Sequence, residues 1–230
     1  MRIILKMQKK KKQKIENFQR YFQSLLHKAT GVHGTNSPFR YNGNFYIPWS
    51  FSFPQSNKNE FQIVITTPIH DVFSKIVYYF SLSNEIVLGR ETLKIIGMET
   101  FNFPAIKESK IIVKTLSPII VYKNCDNDRV FLFPFNKNWN DFIKNNVISR
   151  LKAFNILQDE QDISFHIKAL NSFPKKVVYK HPRGNSIYYG SFGEFEILGD
   201  LQYLPYIIDM GVGMGTSKGF GTVKLINKVL

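Results

Sequence analysis

The sequence predicts an α+β protein made of two β-α-β-β-α-β units in tandem. A length of 230 residues suits two domains of ordinary size, and 43% hydrophobic residues are enough for a proper core. Strand-like and helix-like patterns also follow each other in the same order twice along the chain. Because that order is typical of a ferredoxin-like domain, we expect two such domains, with one larger α+β domain as the alternative.

The first unit is predicted over residues 1–107. Its first helix runs from about Glu16 to Gly31, because apolar residues recur at intervals of three and four and glycine favours a helix C-cap. His27 lies opposite the apolar stripe and is expected to face away from the core. The other elements are a strand at 3–5, strands at 45–53 and 61–66, a helix from Pro68 to about Phe80 and a strand at 90–103.

The second unit is predicted over residues 108–230, after a linker at 104–110. Short apolar runs bounded by turn residues predict its strands, and a longer mixed pattern predicts its main helix. These elements are strands at 111–114, 119–123 and 129–133, a helix at 138–154, strands at 163–170, 175–180 and 186–197, a short helix at 201–208 and a strand at 222–226.

The charge balance indicates a polyanionic partner. The net charge of +14 at pH 7 favours nucleic acid first and an anionic membrane surface second. The single cysteine, Cys125, excludes an internal disulfide and a multi-cysteine metal site, and no histidine spacing suggests a metal or a cofactor. No apolar run approaches the ~18 residues that span a bilayer. We therefore expect a soluble cytoplasmic protein that binds RNA or DNA and no membrane.

A glycine-rich segment, GVGMGTSKGFG, occupies residues 211–221. Glycine allows positive φ and close approach, so consecutive backbone amides here are expected to meet phosphate oxygens, with Lys218 adding charge. The glycines expected in this role are Gly211, Gly213, Gly215 and Gly219. The alternative is a tight connection into the last strand. The spacing fits neither G-x-G-x-x-G nor the Walker order, which disfavours a nucleotide-binding enzyme.

This segment, followed by Thr222-Val223-Lys224, resembles the C-terminal signature of the CRISPR-associated endoribonucleases that cut precursor CRISPR RNA within each repeat. They form the sixth-numbered Cas family of the repeat-associated mysterious protein superfamily. The stretches YFQSLL at 21–26 and TLSPI at 115–119 are similar to the same family. The resemblance implies a tandem ferredoxin-like architecture and CRISPR repeat RNA as the partner. A homodimer and a place in a CRISPR effector complex are compatible with it.

The resemblance also implies metal-independent cleavage, in which a ribose 2′-hydroxyl is the nucleophile and the products are a 2′,3′-cyclic phosphate and a 5′-hydroxyl. The family's catalytic histidine follows the first helix, where this sequence has His33. His27 stands where many relatives carry a tyrosine, and two nearby histidines suit a division of acid and base duties. The family's lysine beyond the loop histidine is absent, so Arg40 is the nearest candidate cation, with Lys28 and Arg20 as alternatives.

A basic cluster in the second unit is expected to contact RNA through its shape and phosphates. The cluster comprises Lys175, Lys176, Lys180 and Arg183, with Tyr179 among them. The alternative interpretation is a solvated basic edge strand. For the whole chain, the alternatives to a nuclease are a non-catalytic RNA-binding subunit of the same superfamily and a generic basic RNA-binding protein. His33 is the residue that distinguishes the first two.

Overall fold

Two antiparallel sheets with associated helices form the architecture in a computed structural model of the chain. The structure describes residues 1–9, 15–57, 59–102, 106–126, 128–181 and 184–226. The first sheet takes its strands from residues 2–101 and the second from residues 110–225. When the additional short strands are left out, each half has the β-α-β-β-α-β order, which confirms the predicted α+β class of two tandem ferredoxin-like units.

The first sheet has a long strand at its centre. The strands of this half are β1 (Arg2–Lys9), β2 (Arg40–Tyr41), β3 (Asn44–Phe45), β4 (Ser50–Phe51), β5 (Gln55–Asn57), β6 (Glu60–Thr66), β7 (Glu85–Leu88) and β8 (Glu91–Phe101). The sheet order is β4-β6-β1-β8-β7, with β5 also paired to β6, while β2 and β3 form a separate hairpin. Helix α1 (Phe18–Thr30) follows β1, and helix α2 (His70–Ser81) follows β6.

Helix α1 buries the apolar stripe that predicts it. Phe18, Phe22 and Leu26 are buried in one core with residues of β1, and successive members of this set are four residues apart. The helix ends at Gly31, which takes a left-handed φ of 72° and donates its amide to the His27 carbonyl. The predicted helix and its glycine C-cap are therefore confirmed.

The second half repeats this order around another antiparallel sheet. Its strands are β9 (Lys110–Thr115), β10 (Ile119–Ile120), β11 (Tyr122–Cys125), β12 (Asp128–Phe131), β13 (Phe165–His181), β14 (Gly184–Gly199) and β15 (Val223–Leu225). β14 pairs with β13 on one side and with β10 and β9 on the other, and β15 pairs with β9. Helices α3 (Trp139–Ala153) and α4 (Leu204–Met210) contribute to the core of this half, and β11 and β12 form a separate hairpin.

Three strand predictions need correction. The strand predicted at 119–123 is divided between β10 and β11, which lie in separate sheets. The strands predicted at 163–170 and 175–180 are one strand, β13, with a single register shift between Ala169 and Asn171. Pro174 is tolerated within it because β13 is an edge strand that pairs only with β14. The single strand predicted at 45–53 is two short ones, β3 and β4, with a proline between them.

The two halves meet where β4 lies beside the residues that precede β15. Ser50 Oγ is 2.5 Å from Thr222 Oγ1 and 3.2 Å from the Phe220 carbonyl oxygen. At a second contact, the rings of Phe39 and Phe154 meet edge to face, with centroids 5.3 Å apart. The loop after α1 is therefore held between the halves. The domain boundary predicted after residue 107 lies between the two sheets and stays a prediction.

Candidate active site

His27 is half-buried, which corrects the expectation that it faces away from the core. The chain turns back after Gly31, and the His27 Nδ1–H donates to the Val32 carbonyl oxygen. The Trp49 ring covers His27 edge-on, with centroids 5.2 Å apart. The helical pattern places His27 correctly on the helix, but the following loop and Trp49 cover that position.

His33 lies directly against His27. The two rings are stacked with centroids 5.0 Å apart and an interplanar angle of 13°. His33 is exposed, so one ring of the pair is accessible to a ligand and the other is partly protected. The structure thus brings together the two histidines that the sequence suggests as acid and base.

The environment of His27 favours its neutral form. Burial lowers the pKa of His27 below the ordinary histidine value, the hydrogen bond to Val32 opposes this shift, and the charge of His33 adds to it. A carbonyl oxygen can only accept, so Nδ1 carries the proton and Nε2 of the neutral ring has a free lone pair. This tautomer makes His27 Nε2 a proton acceptor at neutral pH.

Arg40 is the first residue of β2 and directly follows the loop that carries His33. Its Nε and Nη2 donate to the carbonyl oxygens of Ser37 and Thr35, each at 3.4 Å, and its guanidinium lies 4.5 Å from the Phe45 ring centroid. The side chain is exposed. A planar, permanently charged group held in this way is suited to contact a phosphate.

The two other candidate cations lie on α1. Lys28 is exposed and follows His27 directly, so it lies about 100° round the helix from it. Arg20 is seven residues before His27, which puts it two turns away on the same side of α1. The Arg20 guanidinium is 5.7 Å from the Tyr21 ring centroid. Arg20 is therefore better aligned with the histidine pair than Lys28, and both remain predicted contacts.

The glycine-rich segment is packed between the halves. A Cβ at Gly213 would lie 2.7 Å from the Ile120 carbonyl oxygen, and one at Gly219 would lie 2.5 Å from the Phe51 ring. The amides of Gly211 and Gly219 donate to protein carbonyls, at 3.3 and 3.0 Å respectively. These contacts fit the alternative of a tight connection. Of the four glycines expected to meet phosphate, Gly215 is the exposed one, and its phosphate contact stays a prediction.

A groove of about 580 Å³ lies between residues 45–47, where β3 ends, and this segment. Its other walls are residues 122–124 of β11 and part of α3. Lys123 is on one wall, and Arg150, which also lines the groove, donates to the carbonyl oxygens of Met210 and Gly211. The groove is open to solvent.

The predicted basic cluster is divided between two faces of β13. Side chains alternate along a strand, so Lys175 shares a face with the buried Tyr179, whereas Lys176 and Lys180 share the opposite face. All three lysines are exposed, and Arg183 lies outside the described residues. Lys175 instead lines a cleft of about 400 Å³ with Lys114 and other residues of both halves.

The model of one protein family matches more than half of the chain. The family is described as CRISPR associated protein Cas6, C-terminal, and the match covers residues 101–225. The chain belongs to the Cas6 family. This confirms the resemblance inferred from the glycine-rich ending, all of which lies inside the matched range.

Solved structures of Cas6 proteins have the same fold as this Cas6 chain. One described as CRISPR associated protein Cas6 is 22% identical with a TM-score of 0.79, and the product of a Cas6-related gene from Pyrococcus furiosus is 21% identical with a TM-score of 0.77; each comparison covers 99% of both chains. A RAMP protein described as binding different RNA substrates is 21% identical with a TM-score of 0.76 over 99% of this chain and 100% of that chain. No curated protein sequence shows significant similarity to the chain.

Sequence reasoning missed two residues of this Cas6 protein that contact predicted site residues. Trp49 covers His27, and Tyr188 accepts hydrogen bonds from Lys218 and Arg129. Nothing in the local sequence connects these residues, because they come from separate strands and turns. For Tyr188, the alternation of strand β14 predicts burial but gives no partner.

Within the described ranges, no three or more His, Cys, Asp or Glu side chains are grouped so that they could hold a metal ion. None of the helices in the same ranges has the length and apolar character needed to cross a bilayer.

Proposed function

We propose that this Cas6 protein is an endoribonuclease that cuts CRISPR repeat RNA without a metal ion. The observation that carries the proposal is the stacked pair of His27 and His33, with Arg40 at the start of β2, directly after the loop that carries His33. Cleavage by a ribose 2′-hydroxyl needs a base, an acid and a cation for the phosphate. These three groups supply that set of functions within one short stretch of chain.

The environments of the two histidines support separate roles. His27 Nε2 accepts the proton of the 2′-hydroxyl as its oxygen bonds to phosphorus. The exposed His33, in its protonated form, donates a proton to the 5′-oxygen as the bond between phosphorus and that oxygen breaks. Arg40 stabilises the charge on the phosphate oxygens. The products are a 2′,3′-cyclic phosphate and a 5′-hydroxyl, and the two histidines end with exchanged protonation states.

The groove that ends at the glycine-rich segment supports an RNA strand as the substrate. It runs from residues 45–47 to residues 213–217, with Lys123 on one wall and aromatic rings available for stacking. The net charge of +14 favours a polyanion over a small neutral substrate. One solved Cas6 structure of the same fold is described as a product complex, at 12% identity and a TM-score of 0.63.

A second candidate function is a non-catalytic subunit that holds CRISPR RNA. It is favoured by the contacts of Arg40, because its guanidinium already binds two loop carbonyls and the Phe45 ring, so a phosphate would share it with these groups. In this case the histidine pair would bind RNA without transferring protons. A homodimer and a CRISPR effector complex are further predicted partners in either case.

The deciding experiment is single-turnover cleavage of the repeat RNA from the protein's own genome. One substrate is all-ribose, and the other has a single 2′-deoxy nucleotide immediately before the cleaved phosphate. We expect cleavage of the first with or without chelator, no cleavage of the second, and similar affinity for both. Cleavage of the deoxy substrate would exclude the 2′-hydroxyl mechanism, and binding of both RNAs without any cleavage would favour the non-catalytic subunit.

A further inference from the structure

The hairpin formed by β13 and β14 extends beyond the second sheet and reaches the first half of the chain. β14 pairs with β9 and β10 only over residues 190–198, whereas its pairing with β13 continues to Gly184. Near the end of this extension, the Tyr179 hydroxyl donates to Gln23 Oε1 of α1 at 2.7 Å. Burial raises the pKa of Tyr179 to about 12, so this hydroxyl keeps its proton at neutral pH.

Two cations converge on one oxygen at this place. Lys218 Nζ, from the glycine-rich segment, donates to the Tyr188 hydroxyl at 3.0 Å, and Arg129 Nη1, from β12, donates to the same oxygen at 3.2 Å. Tyr188 is only 3% exposed, whereas Arg129 is exposed and Lys218 is half-buried. The tyrosine is therefore a fixed acceptor under two cations that contact solvent.

Neither cation forms an ion pair with a carboxylate in the described part of the chain. Aromatic faces surround them instead: the Arg129 guanidinium is 5.1 Å from the Tyr122 ring centroid, and Lys218 Nζ is 5.7 Å from the Tyr179 ring centroid. Burial acts to raise the pKa of Tyr188, but the hydrogen bond and charge of Lys218, with those of Arg129, lower it overall. Two like charges on one neutral oxygen leave an unmatched positive potential, which an anion would neutralise.

We propose that Arg129 and Lys218 form a two-cation clamp for one phosphate of bound RNA, with Tyr188 holding the two cations at a fixed separation. This inference rests on the proposed RNA-binding function. Gln23, which contacts the same hairpin, is four residues from His27 on α1, a rise of about 6 Å along the helix. The clamp therefore binds the RNA backbone close to the candidate cleavage site.

The test measures binding of 2′-deoxy-blocked repeat RNA by fluorescence anisotropy at several salt concentrations. The variants are Arg129→Gln, Lys218→Gln and the double variant, and Lys75→Gln, an exposed lysine on α2, is the matched control. Each single variant should weaken binding and reduce the salt slope by ~0.7, the value for one phosphate contact on single-stranded RNA. Because both cations bind the same phosphate, the salt slope of the double variant should be nearly the same as that of each single variant. The control should leave it unchanged.

A set of RNAs with one neutral methylphosphonate at successive positions identifies the phosphate. At one position, the neutral linkage should weaken binding to the wild type and remove the difference between wild type and the Arg129→Gln variant. The clamp would be overturned if the salt slopes of the single variants equalled that of the Lys75→Gln control. It would also be overturned if the double variant lost ~1.4 in salt slope, the sum of two separate phosphate contacts. Neither result would contradict RNA binding itself. Absence of any repeat RNA binding by the wild type would instead overturn the proposed function and the clamp with it. Thermal melting of each variant identifies losses that come from unfolding.

Discussion

Helices α1 and α3 occupy the same place in the two halves, each being the first helix of its β-α-β-β-α-β unit, yet they are used differently. α1 carries His27, whose ring lies against an exposed loop histidine. α3 carries Arg150, which is 3% exposed and donates to the carbonyls of Met210 and Gly211. The same position in the fold thus carries a proposed catalytic residue in one half and holds the glycine-rich segment in the other. The lesson is that a shared topology fixes where a helix lies but not what its polar face does.

Removing the accessible histidine is the sharpest test of the α1 side of this comparison. His33→Ala should slow single-turnover cleavage of repeat RNA by ~10²–10⁴-fold, because one general acid is lost. RNA affinity and the melting temperature should change little, since His33 is exposed. His70→Ala, which removes an exposed histidine on α2, is the control and should leave the rate unchanged. Full activity of the double His27→Ala and His33→Ala variant would contradict the proposed site.

Replacing Arg150 tests the α3 side, where the expected loss is in stability. Burial lowers the pKa of Arg150 to about 9, but its two carbonyl acceptors keep the side chain in place. Arg150→Ala should lower the free energy of unfolding by about 2–4 kcal/mol, because the buried carbonyls of Met210 and Gly211 lose their donors. Urea unfolding followed by circular dichroism measures the loss. Arg150→Lys should recover part of it, and an unchanged midpoint would remove the distinction between α1 and α3.

A substitution in the glycine-rich segment should have a smaller effect on stability than Arg150→Ala, and it tests whether these glycines serve packing or phosphate contact. Gly219→Val should destabilise the fold by about 2–3 kcal/mol, because its Cβ would lie 2.5 Å from the Phe51 ring and its φ of 84° disfavours a branched residue. Gly31→Ala, at a φ of 72° with no atom near the added Cβ, should cost only ~1 kcal/mol. Melting temperature and RNA affinity are measured for both variants. Loss of binding at full stability in Gly219→Val would support an amide contact with phosphate instead.

The pH dependence of α1 gives the smallest effect. The pKa of His27 is lowered in the folded protein, chiefly by burial, so the unfolded chain binds a proton more readily. The contribution of His27 to stability is therefore present above the unfolded pKa of about 6.5 and is lost as the pH falls below it. Wild type and His27→Gln should differ less in unfolding free energy at pH 5 than at pH 8. A constant difference between these pH values would mean that His27 titrates as in the unfolded chain.

The sequence predicts the elements more completely than it predicts their contacts. Helix α1 and its end at Gly31 follow from the apolar spacing and the glycine, and the structure confirms both. The burial of His27 does not follow, because the periodicity of one helix contains no information on the loop and Trp49 that cover it. His33 is identified only through the family resemblance, since an exposed loop histidine has no pattern of its own.

The second half shows the same limit at longer range. Lys175 and Lys176 are consecutive in the strand predicted at 175–180, so alternation already puts them on different faces. The cleft that Lys175 lines with Lys114 of β9 does not follow from that alternation. The convergence of Arg129 and Lys218 on Tyr188 joins three segments that are far apart in the chain. Such a site depends on how far the hairpin of β13 and β14 extends past its sheet, which no local pattern specifies.

The contact between β4 and the residues before β15 can form only after most of the chain has been synthesised. Ser50 and Phe220 are 170 residues apart in sequence. At about 5–20 residues per second, the ribosome delivers the partner of Ser50 roughly 9–34 s after Ser50 itself. During that interval Ser50 and Phe51, which form an edge strand of the first sheet, have no neighbour on their open side. Translation speed over the second half therefore determines how long the nascent first half is open to association with other chains.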